Sequence, residues 1–258
     1  MATKLETRRK TPGYHYYKAS EPFPDPEQLK RVTVDSLQLG EERIEPSRRD
    51  PHYLVLRARR DAFLHFASTL PAGPLDVLDV GGRIQPYRPL LGSRVRRYIA
   101  LDPQVTGLVN VIGSGVNLPF ASNAFDVVIC TQVMTYVQRP RAAVAEIHRV
   151  LKPGGALFLT LPAHCPAFFD ELWRFLPDGI RELTSDFEKV EIRPEGYSIA
   201  GLCRTLTIAL DLLVVRPWMR RIVAASLIPL LNVAGTALDR FSDESEAFTT
   251  NYSVVARR

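Results

Sequence analysis

VLDVGGRIQPY, Val77–Tyr87, carries an apolar strand around one acid, Asp79, into Gly81 and Gly82 and then into Arg83. An apolar strand that stops at paired glycines reads as the first strand of a parallel sheet, where ligands bind in the crevice at the strand ends. Glycines there let backbone N–H groups approach an anionic ligand at a helix N-terminus. A dinucleotide fingerprint would be G-x-G-x-x-G, and Arg83 stands where its second glycine belongs, so a pyrophosphate would meet a side chain. NAD and FAD are therefore disfavoured.

Working outward, apolar runs recur on both sides, LDVLDV (75–80), RYIALD (97–102), VNVI (109–112), FDVVICT (125–131) and ALFLTLP (156–162), and two further strands follow, KVEIRP (189–194) and TNYSVVAR (250–257). Continuous apolar strands of this length are buried on both faces, as in a parallel sheet. RPRAAVAEIHRVL is the clearest helix: Pro140 sits near its start, Val144, Ile147 and Leu151 share a face, and KPGG ends it. Val55, Ala58, Ala62 and Phe66 place another helix before the first strand. Strand, helix, strand repetition predicts an α/β fold with a doubly wound, seven-stranded, mostly parallel sheet.

The second strand ends at Asp102, about 20 residues beyond the first turn, where an acid accepts hydrogen bonds from both hydroxyls of a ribose. A nucleoside suits this arrangement better than a dinucleotide. Singly, the signals have plainer readings: paired glycines as a turn, a strand-end Asp as a helix cap.

Taken together in order and spacing, VLDVGG, YIALDP, NLPFASNAFDVVICTQVMTYV and EIHRVLKPGGALFLTLP resemble class I S-adenosylmethionine-dependent methyltransferases, in particular their type 11 group, over residues 75–162. The resemblance implies a Rossmann-like methyltransferase fold with a terminal antiparallel hairpin and S-adenosyl-L-methionine as cofactor. It implies that Asp79, Gly81 and Gly82 hold the methionine portion, Asp102 grips the ribose, Ser114 and Gly115 border adenine, and Gln132 and Val133 lie beside the methyl. Two positions depart from the family: Arg83 replaces a glycine of D-x-G-x-G-x-G, and Ser114 stands where an Asp is common. Because the methionine end carries a carboxylate, the Arg83 guanidinium can pair with it rather than clash.

Methyl transfer to a hydroxyl needs alignment of donor and acceptor and a group that takes up a proton. LPAHCPAFFDELWRFLPDGIREL follows the fifth strand and offers His164, Asp170 and Glu171 as bases, with His164 first, beside Trp173 and Arg174. Each also has a structural reading, as loop, surface pair or core. Acid, base and aromatic side chains together suit a sugar. The DExWRFxPDGIREL pattern resembles methyltransferases of polysaccharide and glycolipid assembly, which implies a glycan or glycolipid acceptor. A small natural product, or a fold retained for binding without catalysis, are the alternatives.

At 258 residues and 46% hydrophobic, the chain can bury one elaborated domain. Residues 1–50, rich in proline and charge, read as an extended arm with at most short helices, and 51–258 as the methyltransferase domain. About 198–246 is too apolar and too long for a simple connection, so a helical insertion or lid over the acceptor site is predicted. Within it, Leu202, Leu206, Leu210 and Leu213 form one stripe, and IVAASLIPLLNVAGTAL carries no charge. The readings are a lid, a homodimer interface, or shallow membrane docking assisted by Arg216, Arg220 and Arg221.

The net charge of +5 is spread over pairs such as Arg48–Arg49 and Arg59–Arg60, read as solvated surface or, alternatively, as attraction to an anionic membrane or a phosphate-bearing substrate, without the basic and aromatic interleaving of nucleic-acid binders. Cys130, Cys165 and Cys203 have no metal-ligand spacing, so no metal is expected. A charged start, MATKLETRRK, lacks a following apolar segment and gives a cytoplasmic expectation.

Overall fold

The computed structural model describes residues 25–165, 171–242 and 244–258. All six residues of β1 (Leu75–Val80) are buried, as expected of a central parallel strand. Around it lie β2 (Val95–Asp102), β3 (Val111–Ile112), β4 (Phe125–Thr131), β5 (Leu151–Pro162), β6 (Lys189–Pro194) and β7 (Asn251–Arg257). Their order is β3-β2-β1-β4-β5-β7-β6, with β7 antiparallel to both β5 and β6 and the other pairs parallel. This is the doubly wound, mostly parallel sheet that the apolar runs predict, with the terminal antiparallel hairpin that the resemblance implies.

Helix α1 (Pro26–Ile44) precedes the domain, α2 (Tyr53–Ser68) precedes β1, and α3 (Pro140–Val150) joins β4 to β5. One face of the sheet is covered by α2: Phe63 stacks on Tyr87 at 4.7 Å between ring centres and meets Phe158 edge-on at 5.0 Å. On the other face α3 buries Ala143, Val144, Ile147 and Val150, an i, i+1, i+4, i+7 pattern that sets one stripe against the sheet. The short α4 (Pro177–Leu183) adds Ile180 and Leu183 to that layer.

Several expectations are corrected. Residues 26–44 are a 19-residue helix, not an extended arm. Asp25 caps it by accepting from the N–H groups of Glu27 and Gln28, Gln28 bonds back, and Pro26 occupies the first turn, where a proline loses no hydrogen bond. KPGG lies inside β5 rather than closing α3. Arg59 is not solvated: it is 3% exposed on the inner side of α2, and its guanidinium forks onto Glu195 at 2.7–3.1 Å. Ser253 Oγ donates to the same carboxylate, which ties α2 to the β6–β7 hairpin.

The region 198–246 is built from α5 (Ser198–Leu213), α6 (Pro217–Ala225) and α7 (Leu227–Leu238). It docks sideways on α2 and on the turn before it. Thr207 Oγ1 donates to the Pro51 carbonyl, and Asn232 Nδ2 donates to the carbonyls of Arg48 and Asp50. The first two turns of α5 reach the C-terminal end of the sheet: a Cβ on Gly201 would lie 1.9 Å from the Phe248 oxygen, and Arg204 Nη1 donates to Asn251 Oδ1 at 3.0 Å. The predicted leucine stripe points outward: Leu202, Leu206 and Leu213 are exposed, while Arg204 and Thr207 face inward.

Candidate functional site

The strand order reverses between β2-β1 and β4-β5, so the ends of β1 and β4 flank the switch-point crevice of the sheet. The β1 turn closes tightly. Gly81, at φ 82°, lies against Val133, two residues past β4, and a Cβ on it would be 2.2 Å from Val133 Cγ2. Gly115 approaches β1 in the same way, with Val80 Cγ1 3.3 Å from a Cβ built there. Gly81, Gly115 and Val133 are thus brought together with β1, and side chains in place of the glycines would fill the crevice.

Asp79 does not face the crevice openly. It is 3% exposed, lies beneath Gly82, and accepts a 2.6 Å hydrogen bond from the Tyr98 hydroxyl. Burial pushes its carboxyl up to about 7; the Tyr98 bond opposes that rise and the nearby Asp102 charge adds to it. Asp102 closes β2 with 6% exposure, and its Oδ1 accepts from the Gln104 N–H at 2.8 Å. Burial raises its carboxyl above the ordinary carboxylate range, against the Gln104 N–H and the Arg83 charge, which both lower it.

Arg83 lies on the ribose side of the turn, its Nη1 donating to Gln104 Oε1 at 2.5 Å. The expected helix after the turn is absent. Pro86 and Pro89 interrupt it, and residues 88–94 form only 3-10 turns around Gly92 at φ 61°. No α-helix starts at this turn, and the N–H groups of Gly81 and Gly82 both donate to the Leu101 carbonyl, at 2.7 and 3.3 Å.

Gln85 was not singled out from the sequence, although it falls on the last glycine of D-x-G-x-G-x-G. It adopts φ 44°, a conformation that favours glycine, and is held there by Nε2 donating to the Leu108 carbonyl and Oε1 accepting from Arg88. Helix α1 roofs these loops: a Cβ on Gly40 would be 2.6 Å from the Ile84 oxygen, and Thr33 Oγ1 accepts from the Gly107 N–H at 2.7 Å.

Ser114 is exposed beside Gly115 after β3, and at the adjoining acceptor end Gln132, at φ 57°, donates through Nε2 to Thr160 Oγ1 at 3.1 Å. His164 is exposed two residues past β5, fixed by its N–H to the Thr249 carbonyl at 3.2 Å. Glu171 is ion-paired to Arg174 at 2.6 Å and meets the Tyr136 hydroxyl at 3.5 Å, so its carboxylate oxygens are already engaged. Asp170 lies outside the described residues. Trp173 donates Nε1 to the Val137 carbonyl and leaves its ring 43% exposed.

The family model described as "Methyltransferase domain" matches residues 78–159, from β1 through β5. That segment, about a third of the chain, is similar to this family. The rat protein named thiol S-methyltransferase TMT1B is 35% identical over 94 residues, covering 31% of this chain and 38% of that one. A demethylmenaquinone methyltransferase of Corynebacterium glutamicum is 34% identical over 93 residues, covering 34% and 37%. The chain thus spans well under half the length of these relatives. A solved S-adenosylmethionine-dependent methyltransferase from Archaeoglobus fulgidus superposes at a TM-score of 0.49 and 15% identity, over 86% of this chain and 99% of that one.

The nucleoside half of S-adenosylmethionine fits the residues present: two glycine turns leave room, and a buried carboxylate stands between them at Asp102. The methionine half meets a turn whose first two N–H groups are already bonded and whose two later glycine positions carry Arg83 and Gln85.

Proposed function

We propose that the protein is an S-adenosylmethionine-dependent methyltransferase. What carries this reading is Asp102, a buried carboxylate at the end of β2 between Gly81–Gly82 and Ser114–Gly115, inside the segment that matches the methyltransferase domain. The cofactor's sulfonium would supply an electrophilic methyl group. Asp102 would accept from the ribose hydroxyls, Gly115 and Ser114 would border the base, and Val133, against Gly81, would wall the methyl side.

For the acceptor we propose a hydroxyl of a sugar or glycolipid, with His164 taking its proton. Glu171 is engaged by Arg174, whereas His164 is exposed just past the end of β5, and histidine is the commonest general base. Exposed rings of Trp173 and Tyr136 offer faces for an amphipathic ring. The relatives named above have a thiol or a quinone in their names and no sugar, so the acceptor class rests on these side chains alone.

A second reading, binding without catalysis, is favoured by the committed N–H groups of the β1 turn and by Arg83 and Gln85 at glycine positions. Calorimetric titration of the folded full chain with S-adenosylhomocysteine tests the proposal. Saturable one-site binding supports it, and no heat at millimolar ligand overturns it.

A further inference from the structure

We propose that the outer face of α5–α7 docks in the plane of an anionic lipid bilayer. This does not rest on the proposed activity. Helix α6 buries none of its nine residues. At 100° per residue, Trp218, Met219, Ile222 and Val223 occupy one side and Arg220 and Arg221 the other. Trp218 is 61% and Ile222 57% exposed, so the apolar side is on display.

The neighbouring helices extend the same face. On α5 the leucines point out and Arg204 in, the reverse of a helix whose outer side meets water. On α7, Leu227, Leu230, Val233 and Leu238 are exposed, opposite the buried Ile228, Asn232 and Gly235. Val215 and Phe241 add to the display. Contiguous apolar surface of this kind marks an interaction site.

Residues Pro217–Phe241 are long and apolar enough to cross a bilayer. Their packing holds them in plane instead. Ser226, at φ −124° and ψ −70°, breaks the run into α6 and α7. Asn232 is bonded to the carbonyls of Arg48 and Asp50, and Gly235 lies against Leu54, so crossing would strip α7 from the domain and strand those polar groups in hydrocarbon.

Charge selects the occupant. Arg216, Arg220 and Arg221 are exposed beside the apolar side of α6, and only Asp211, bonded to Arg220, answers them among the ion pairs of the described residues. Anionic headgroups complement such a rim. A second copy of the chain, placed by two-fold symmetry, would set this basic rim near its own image. The first turn of α5 abuts Phe248, and residues 249–250 pair with 163–164, so the docked face adjoins the acceptor end.

Flotation of the full chain with phosphatidylcholine vesicles, with and without phosphatidylglycerol, tests this. Expected is flotation that requires the anionic lipid and falls as salt rises from about 0.05 to about 0.5 M. Leu213→Ser with Trp218→Ser and Ile222→Ser should lower partition about tenfold or more, and Arg216→Glu with Arg221→Glu should lower it on anionic vesicles, with the melting curve unchanged in both sets. Absence of flotation on either vesicle overturns the proposal. So does a concentration-dependent dimer in sedimentation that the triple substitution abolishes, since the face would then be a self-interface.

Discussion

The sheet and the helices of 198–246 are built from similarly apolar residues and use them in opposite directions. Around β1, side chains such as Phe63, Leu78 and Val128 are fully buried between layers. In α5–α7 the buried positions include Arg204, Thr207 and Asn232, whereas Leu206, Leu213 and Trp218 face outward. The two regions share residue types and differ in what they meet: in the sheet, another layer of the same protein; in the helices, polar anchors beneath, with the leucine side exposed. Spacing identifies a stripe in both, but only contacts decide which way it points.

The largest expected effect lies on the sheet side. Phe63→Ala removes a ring packed between Tyr87 and Phe158, and should destabilise the chain by about 3–5 kcal/mol in urea unfolding. A loss below about 1 kcal/mol would mean that this layer is not close-packed. Next is the anchor of the helices: Asn232→Leu strands two carbonyls and should cost about 1–3 kcal/mol, with protease cleavage appearing first within 198–246. Unchanged stability would detach the helices from the account of why they lie sideways.

Asp79 supplies a pH test of the sheet's end. Its carboxyl is raised to about 7 when folded, from an ordinary value near 3.8, so the native state holds a proton that the unfolded chain releases between those values. Its contribution to stability is complete below about pH 4 and is lost as pH rises through about 7. Asp79→Asn should flatten that slope in unfolding measured from pH 4 to 8, and an identical slope would place the titration elsewhere. The smallest effect belongs to the displayed face: Leu213→Ala, at a site 76% exposed, should shift stability by no more than about 0.5 kcal/mol. A core-sized loss there would erase the contrast between the regions.

The central strands β1, β4 and β5 were legible because a strand buried on both faces has no polar alternation to confuse it, and α3 because one stripe recurs at helical spacing. Gly81 and Asp102 were legible as a turn and a strand end. Other features depended on context. Asp25-Pro26-Glu27-Gln28 looks like broken chain, yet the same residues make a capped helix start. Pro86 and Pro89 removed a helix that the glycine turn led one to expect. Arg59 and Glu195 lie 136 residues apart, so their pairing has no local signature. Gln85 was discoverable from the glycine pattern itself, since it falls on the pattern's last glycine.

The central claim is that the crevice between β1, β2 and β4 binds S-adenosylmethionine through Asp102. Its most direct test is calorimetric titration of S-adenosylhomocysteine into the wild type and Asp102→Ala. The expected result is saturable one-site binding to the wild type, weakened by about 1–3 kcal/mol in the variant because the ribose hydroxyls lose a charged acceptor in a partly desolvated crevice. Equal affinity in the two proteins, or no binding to the folded wild type, would contradict it.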